Sequence, residues 1–181
     1  MVVGLNEEGG TGLSQRLCRI NLQRADTVRT IDSTPAWVGM EAAACVMGDT
    51  QYAVGIGRAY NELWKWNVLS DWLRCADMTS YRRRHSVAVV DSTLYALGGW
   101  AYAGGTTLSS VEAYNTQTDK WSAAGQLTHA VDATACVSYN NSIYVFGGQD
   151  AKNNAVAHVQ VYDTAQQLCT LLQPAMPRAN R

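Results

Sequence analysis

Short apolar runs separated by tight polar turns dominate the chain, and the runs recur in a fixed order. The clearest stretch is Ser86–Gly99 (SVAVVDSTLYALGG), matched by Ala135–Gly148 (ACVSYNNSIYVFGG). A weaker copy is Ala44–Ile56 (ACVMGDTQYAVGI), and the opening Val2-Val3-Gly4 reads as the tail of a fourth. Each copy holds two apolar runs split by a turn such as Asp91-Ser92-Thr93 or Asn140-Asn141-Ser142, the appearance of a β-hairpin. Helical repeats would instead space their apolar residues by three and four over a dozen positions, and these do not.

A second half-motif follows each hairpin. It reads Ser110–Trp121 (SVEAYNTQTDKW), His158–Cys169 (HVQVYDTAQQLC) and Glu62–Trp72 (ELWKWNVLSDW). Each is a strand ending in an aromatic, a polar turn, and a residue opening the next strand. Two strands from the hairpin and two from this motif make four per repeat. The first glycines, Gly4, Gly55, Gly98 and Gly147, lie 51, 43 and 49 positions apart (55−4, 98−55, 147−98). Periods of about 40–50 residues built from strands are the spacing of propeller blades.

A di-glycine closing an apolar strand, then an aromatic six or seven residues ahead of a Trp, resembles the kelch repeat. Gly98, Gly99, Tyr114 and Trp121 carry the full pattern. Gly147, Gly148 and Tyr162 carry it with Cys169 where the Trp belongs. Gly55, Trp66 and Trp72 carry it with Ile56 in place of the second glycine. The WD40 propeller would show Gly-His and Trp-Asp dipeptides, which are absent. The resemblance implies an all-β fold, a kelch-type β-propeller forming an incomplete ring of about four four-stranded antiparallel blades. The repeats are expected at 1–40 (partial), 41–84, 85–131 and 132–176, with 177–181 leading toward a further blade. On this reading the chain is a fragment of a longer product, closes its ring by self-association with a second copy, or closes alone as a compact four-bladed disc.

Composition narrows the function. Fourteen basic residues nearly balance fifteen acidic ones, leaving a net charge of −1. That supplies no electrostatic footprint for nucleic acid or an anionic membrane. No apolar run approaches the roughly 20 residues of a membrane-crossing helix. Five widely spaced cysteines without a Cys-x-x-Cys pair fit reduced thiols, and a cytoplasmic location is expected. His85, His129 and His158 show no metal-ligand spacing, and there is neither a phosphate loop nor a nucleophile elbow. The expectation is therefore a non-enzyme that needs no metal or cofactor. The alternatives are a kelch-fold enzyme of the sugar oxidase or epimerase type, or an actin-associated kelch scaffold.

The densest charge cluster is Tyr81-Arg82-Arg83-Arg84-His85. Resemblance to the kelch domains of the BTB-kelch family implies that this stretch precedes the innermost strand. There Arg82 and Arg84, with His85, would read an acidic or phosphorylated peptide, because a guanidinium fork holds a carboxylate or phosphate with two bonds. Loops after the glycines should gather on one face, presenting Arg58, Tyr60, Trp100, Tyr102, Gln149 and Asp150 to a protein partner. Trp66, Trp72, Tyr114, Trp121 and Tyr162, which recur with the repeat, are expected to be structural. The same resemblance implies a substrate-recognition module of a cullin-type ubiquitin ligase adaptor, reaching the cullin only through a longer parent that carries a BTB domain.

Overall fold

The computed structural model describes residues 41–57, 59–67 and 70–179, and the backbone of three strands before them. Those three, β1 (Val2–Gly4), β2 (Leu17–Ile20) and β3 (Val28–Ile31), form one antiparallel sheet. Three four-stranded antiparallel sheets follow, each with its strands side by side in chain order. The first holds β4 (Ala43–Met47), β5 (Thr50–Ile56), β6 (Glu62–Asn67) and β7 (Ser70–Arg74). Before the second sheet lies the short strand β8 (Arg82–Arg83). The second sheet holds β9 (Ser86–Val90) and β10 (Thr93–Leu97), and, after the short strands β11 (Trp100–Ala101) and β12 (Thr106–Thr107), β13 (Ser110–Asn115) and β14 (Lys120–Gln126). The third holds β15 (Ala135–Tyr139), β16 (Ser142–Phe146), β17 (Val159–Asp163) and β18 (Leu168–Leu172). All regular structure among the described residues is strand.

The hairpins close where the sequence supplies residues that tolerate left-handed backbone. Val90 pairs with Thr93 and Tyr139 with Ser142, so Asp91-Ser92 and Asn140-Asn141 are two-residue turns. Asp91 and Asn140 take φ of 53° and 50°, conformations that short polar side chains accept. Gly99 is a stricter case, at φ 98°. A Cβ there would sit 2.8 Å from the Arg83 carbonyl and 2.8 Å from the His85 Cβ, so no larger residue fits.

Alternation along each strand sends one set of side chains to each neighbouring sheet. Tyr52, Val54 and Leu63 of the first full sheet pack against Leu94, Ala96, Tyr114 and Trp121 of the second. Tyr95, Leu97, Val111 and Ala124, on the second sheet's other side, pack against Ile143, Val145 and Tyr162 of the third. Among the opening strands, β9 lies against β4 on one side and β15 on the other. Sheets stacked in series with converging first strands are the blades of a propeller, and those strands are the inner ones. Polar ties join neighbouring blades: Trp121 Nε1 donates to the Ala76 carbonyl at 2.9 Å, and Tyr114 Oη and Ala76 N both donate to Asp119 Oδ1 at 2.8 Å. Tyr162 Oη donates to the Ala124 carbonyl. Tyr114, Trp121 and Tyr162 are buried, while Trp66 and Trp72 are half-buried and lie 6.5 Å apart by ring centroid.

Candidate functional site

Antiparallel order places two sets of loops on one face: those entering each inner strand, and those leaving each second strand. Short ladders stitch them together. Trp100 pairs with Arg83 and Thr107, and Ala101 with Arg82 and Thr106. In the next blade Asp132 bridges Gln149, which bridges Ala155.

At the mouth, the residue two positions before each inner strand repeats one conformation. Glu41, Arg84 and Ala133 take φ of 81°, 54° and 53°. Arg84 N donates to the Glu41 carbonyl at 3.0 Å, and Ala133 N donates to the Arg84 carbonyl at 2.8 Å. This chain of backbone bonds steps from blade to blade and fixes the side chains beside it. Arg84 Nη2 lies 3.1 Å from Asp132 Oδ1 and its Nε 3.8 Å from Glu41 Oε1, while Arg83 Nη1 lies 3.3 Å from Glu41 Oε2. Two guanidiniums thus meet two carboxylates. The mouth is a balanced network, with Arg84 held in place and part of its charge spent internally.

The aromatic residues lie beside this network. Tyr60 and Tyr102 rings pack at 5.3 Å between centroids. The Arg83 guanidinium sits 4.3 Å from the centre of the Trp100 ring, a cation–π contact. Tyr102 is 58% exposed and Tyr81 47%. Tyr102 N donates to the Tyr81 carbonyl at 3.1 Å, so the two exposed rings stand on directly linked backbone.

Three expected contact residues are corrected. Arg82 is fully buried. Its Nη1 donates to the carbonyls of Gly98 and Ser110 at 2.9 and 3.0 Å, and its Nη2 to Ser110 Oγ at 3.0 Å and Glu112 Oε1 at 2.7 Å. Glu112 also accepts from Thr79 N, Thr79 Oγ1 and Ser80 N. Burial alone would raise the Glu112 carboxyl, but the Thr79 hydrogen bonds and the Arg82 charge outweigh it and hold it below its ordinary value. Arg82 is a brace between loop and blade and cannot reach a ligand. His85 is buried too, its ring against Gly55 and its Cβ against Gly99. Burial, then the nearby Arg82 charge, pushes it down to about 3, so it is neutral. Gln149 is buried in its β-bridge.

Asp150 spends its carboxylate on its own loop, accepting from Lys152 N, Asn154 N and Asn154 Nδ2. Those bonds, from Asn154 first, hold it below its usual range. Arg58 lies outside the described residues. Tyr60, Trp100, Tyr102 and Arg84 do come together on the loop face. Sequence reasoning passed over Arg83 and Tyr81 as contact residues, although both stand in the cluster it singled out. It also missed the stacked His129 and His158 rings, 4.6 Å apart, which lie far apart in sequence and meet between neighbouring blades. Among the described residues no group of three or more His, Cys, Asp or Glu is placed to hold a metal ion.

Comparison with known proteins places this geometry. The family model for the kelch motif matches residues 81–128 and 133–176. Kelch-like protein 35 of Homo sapiens is 33% identical over 119 residues, covering 65% of this chain and 20% of that protein. Kelch repeat and BTB domain-containing protein 4 of Homo sapiens is 30% identical over 146 residues, 77% of this chain and 27% of that protein. The chain therefore spans about a fifth to a quarter of the length of the curated relatives it matches. Among solved structures, one titled "Structure of YjhT" superposes with a TM-score of 0.67 at 17% identity, covering 76% of this chain and 52% of that one, a likeness of fold.

Proposed function

Because the chain belongs to the kelch-repeat family, we propose that it is a protein-binding module whose partner docks on the loop face, centred on Tyr60, Tyr81, Arg83, Trp100 and Tyr102. The observation that carries this reading is the exposed Tyr102 packed on Tyr60, beside the Arg83–Trp100 pair. Tyr, Trp and Arg held rigid by their own contacts lose little conformational freedom when a partner covers them, which is why such residues dominate binding energy. The mouth network is charge-balanced, so the partner surface matched to this face is apolar or aromatic at its centre, with acidic groups reaching Arg83 at the rim. In a longer protein bearing a BTB domain, the module would select substrates for a cullin-type ubiquitin ligase. The reading is non-catalytic and places the chain in the cytoplasm, in keeping with free Cys45, Cys75, Cys136 and Cys169.

Photo-crosslinking in cells tests the docking face. A benzophenone amino acid at position 102 should give discrete adducts, while one at position 73, exposed on the outer strand β7, should give none of the same species. Equal adducts from both positions would contradict the assignment. Co-purification of a cullin with the BTB-bearing protein, and not with these 181 residues, tests the ligase role. Cell fractionation that found the chain outside the cytoplasm would overturn the placement.

A further inference from the structure

His129 and His158 lie 29 positions apart (158−129), yet their ring centres stand 4.6 Å from each other with the planes 27° apart. The fold fixes both from the backbone. His129 N donates to Gln160 Oε1 at 2.8 Å, and Gln160 Nε2 donates to the His129 carbonyl at 3.1 Å. The His158 carbonyl accepts from Gly147 N at 2.9 Å. In the blade before, Ser80 and Ser110 stand at these two positions, and Ser80 N donates to Glu112 Oε1 as His129 N does to Gln160. The backbone frame is that of the repeat, and the imidazoles are an addition to it. Neither ring makes a hydrogen bond or an ion pair among the described residues, and His158 Nδ1 is buried without a partner. Together with Val131, Val156, Asp150 and Lys152 the two rings line a cavity of about 270 Å³. A water molecule takes about 30 Å³ of liquid, so several fit beside the rings.

We propose that His129 and His158 bind a divalent transition-metal cation of the zinc or nickel type, one nitrogen from each ring, with water filling the remaining positions. Neutral imidazole is the commonest protein ligand for such ions, which favour nitrogen donors where hard cations favour oxygen. Two imidazoles held on one ion at about 2.0–2.1 Å keep their ring centres roughly 4.5–5.2 Å apart, from a right angle to the tetrahedral angle at the metal. The observed 4.6 Å falls within that range, so the frame already supplies the spacing, and rotation about each Cβ–Cγ bond aims the nitrogens. With Nδ1 of His158 buried, its Nε2 is the ligating atom. The Asp150 carboxylate, which shares the cavity with Lys152, offsets that residue's charge and lowers the cost of bringing in a cation. No third His, Cys, Asp or Glu among the described residues completes a closed set. The site is therefore an open one of modest affinity, unlike the four-ligand sites that hold a fold together. Bound there, the ion ties the loop leading into β15 to the start of β17.

Zinc ion alone, titrated into the intact chain in a non-chelating buffer and followed by imidazole NMR, tests the site. The ring signals of His129 and His158 should move together and saturate at one ion per chain, while those of buried His85 stay in place. Calorimetry should show at least tenfold weaker binding in His129→Gln, a substitution at an exposed position. Should that variant fail to fold, the wild-type ring signals decide alone. Zinc that leaves both rings unmoved, moves only one, or is taken up by the cysteines instead overturns the proposal, as does equal affinity in His129→Gln. Inorganic phosphate that moves both rings where zinc does not would make the cavity an anion site and overturn it too.

Discussion

Removing Arg82 is the sharpest perturbation the fold offers. Its guanidinium is fully buried and contributes four hydrogen bonds, one of them to a carboxylate that is itself 3% exposed. In Arg82→Met the Glu112 carboxylate keeps Thr79 N, Thr79 Oγ1 and Ser80 N but loses its counter-charge. Breaking a buried pair from one side costs about 3 kcal/mol or more, because the remaining charge is stranded in a medium that cannot solvate it. In a chain of this size that is a fall of roughly 6–12 °C in Tm. The next blade shows how the pair can be dispensed with. Val131 stands where Arg82 does, Gln160 stands where Glu112 does, and both are buried. The Gln160 amide accepts from His129 N at 2.8 Å and donates to the His129 carbonyl at 3.1 Å. Arg82→Met combined with Glu112→Gln should therefore return to within about 1 kcal/mol of the wild type, since neither charge is then buried alone. Urea unfolding of the wild type, both single variants and the double variant, read as midpoint shifts at constant slope, gives the cycle. A single variant costing under about 1 kcal/mol, or a double variant costing the sum of the two, would refute the reasoning.

Further outcomes follow from the same geometry. Gly99→Ala should cost about 2–3 kcal/mol, since the added methyl meets the Arg83 carbonyl and His85 Cβ at 2.8 Å from a left-handed backbone, and thermal unfolding reads it. Stability should decline on acidification from the ordinary histidine value near 6.5 toward about 3, because the unfolded chain binds a proton that buried His85 refuses; the slope is at most about 1.4 kcal/mol per pH unit, and His85→Asn should flatten it. Glu112 has the same sign in a lower window: its folded value is depressed, so its contribution is complete above the ordinary carboxylate range and is lost only as pH falls through the depressed value. NMR titration of wild type and Glu112→Gln separates the two. Tyr114→Phe, which removes a 2.8 Å bond to Asp119, should lower stability by about 1 kcal/mol and leave partner binding unchanged.

Much of the architecture was legible because the repeat displays its constraints openly. Gly98, Gly99, Gly147 and Gly148 mark the strand ends that turn into the loops, and Tyr114, Trp121 and Tyr162 mark the inter-blade core. The site was less legible. Arg82 reads as a surface arginine because a buried guanidinium leaves no periodicity; what betrays it is its partner thirty residues on. Aligning the repeats position by position offers the missing signal, since Arg82 falls in register with apolar Val131 and Glu112 with Gln160. Arg83 and Arg84 differ from Arg82 only in direction, and direction comes from the φ of 54° at Arg84 together with the Arg83–Trp100 ladder pair. Tyr60 and Tyr102 meet across two blades, a contact no local pattern encodes.

The most direct test of the docking face is quantitative affinity purification of the wild type beside Tyr60→Ala/Tyr102→Ala and Leu73→Ser, all at equal abundance and with matching circular dichroism. A discrete set of proteins should drop at least tenfold with the double tyrosine variant and stay at wild-type levels with Leu73→Ser. The same set recovered from all three would mean that partners are held elsewhere on the chain.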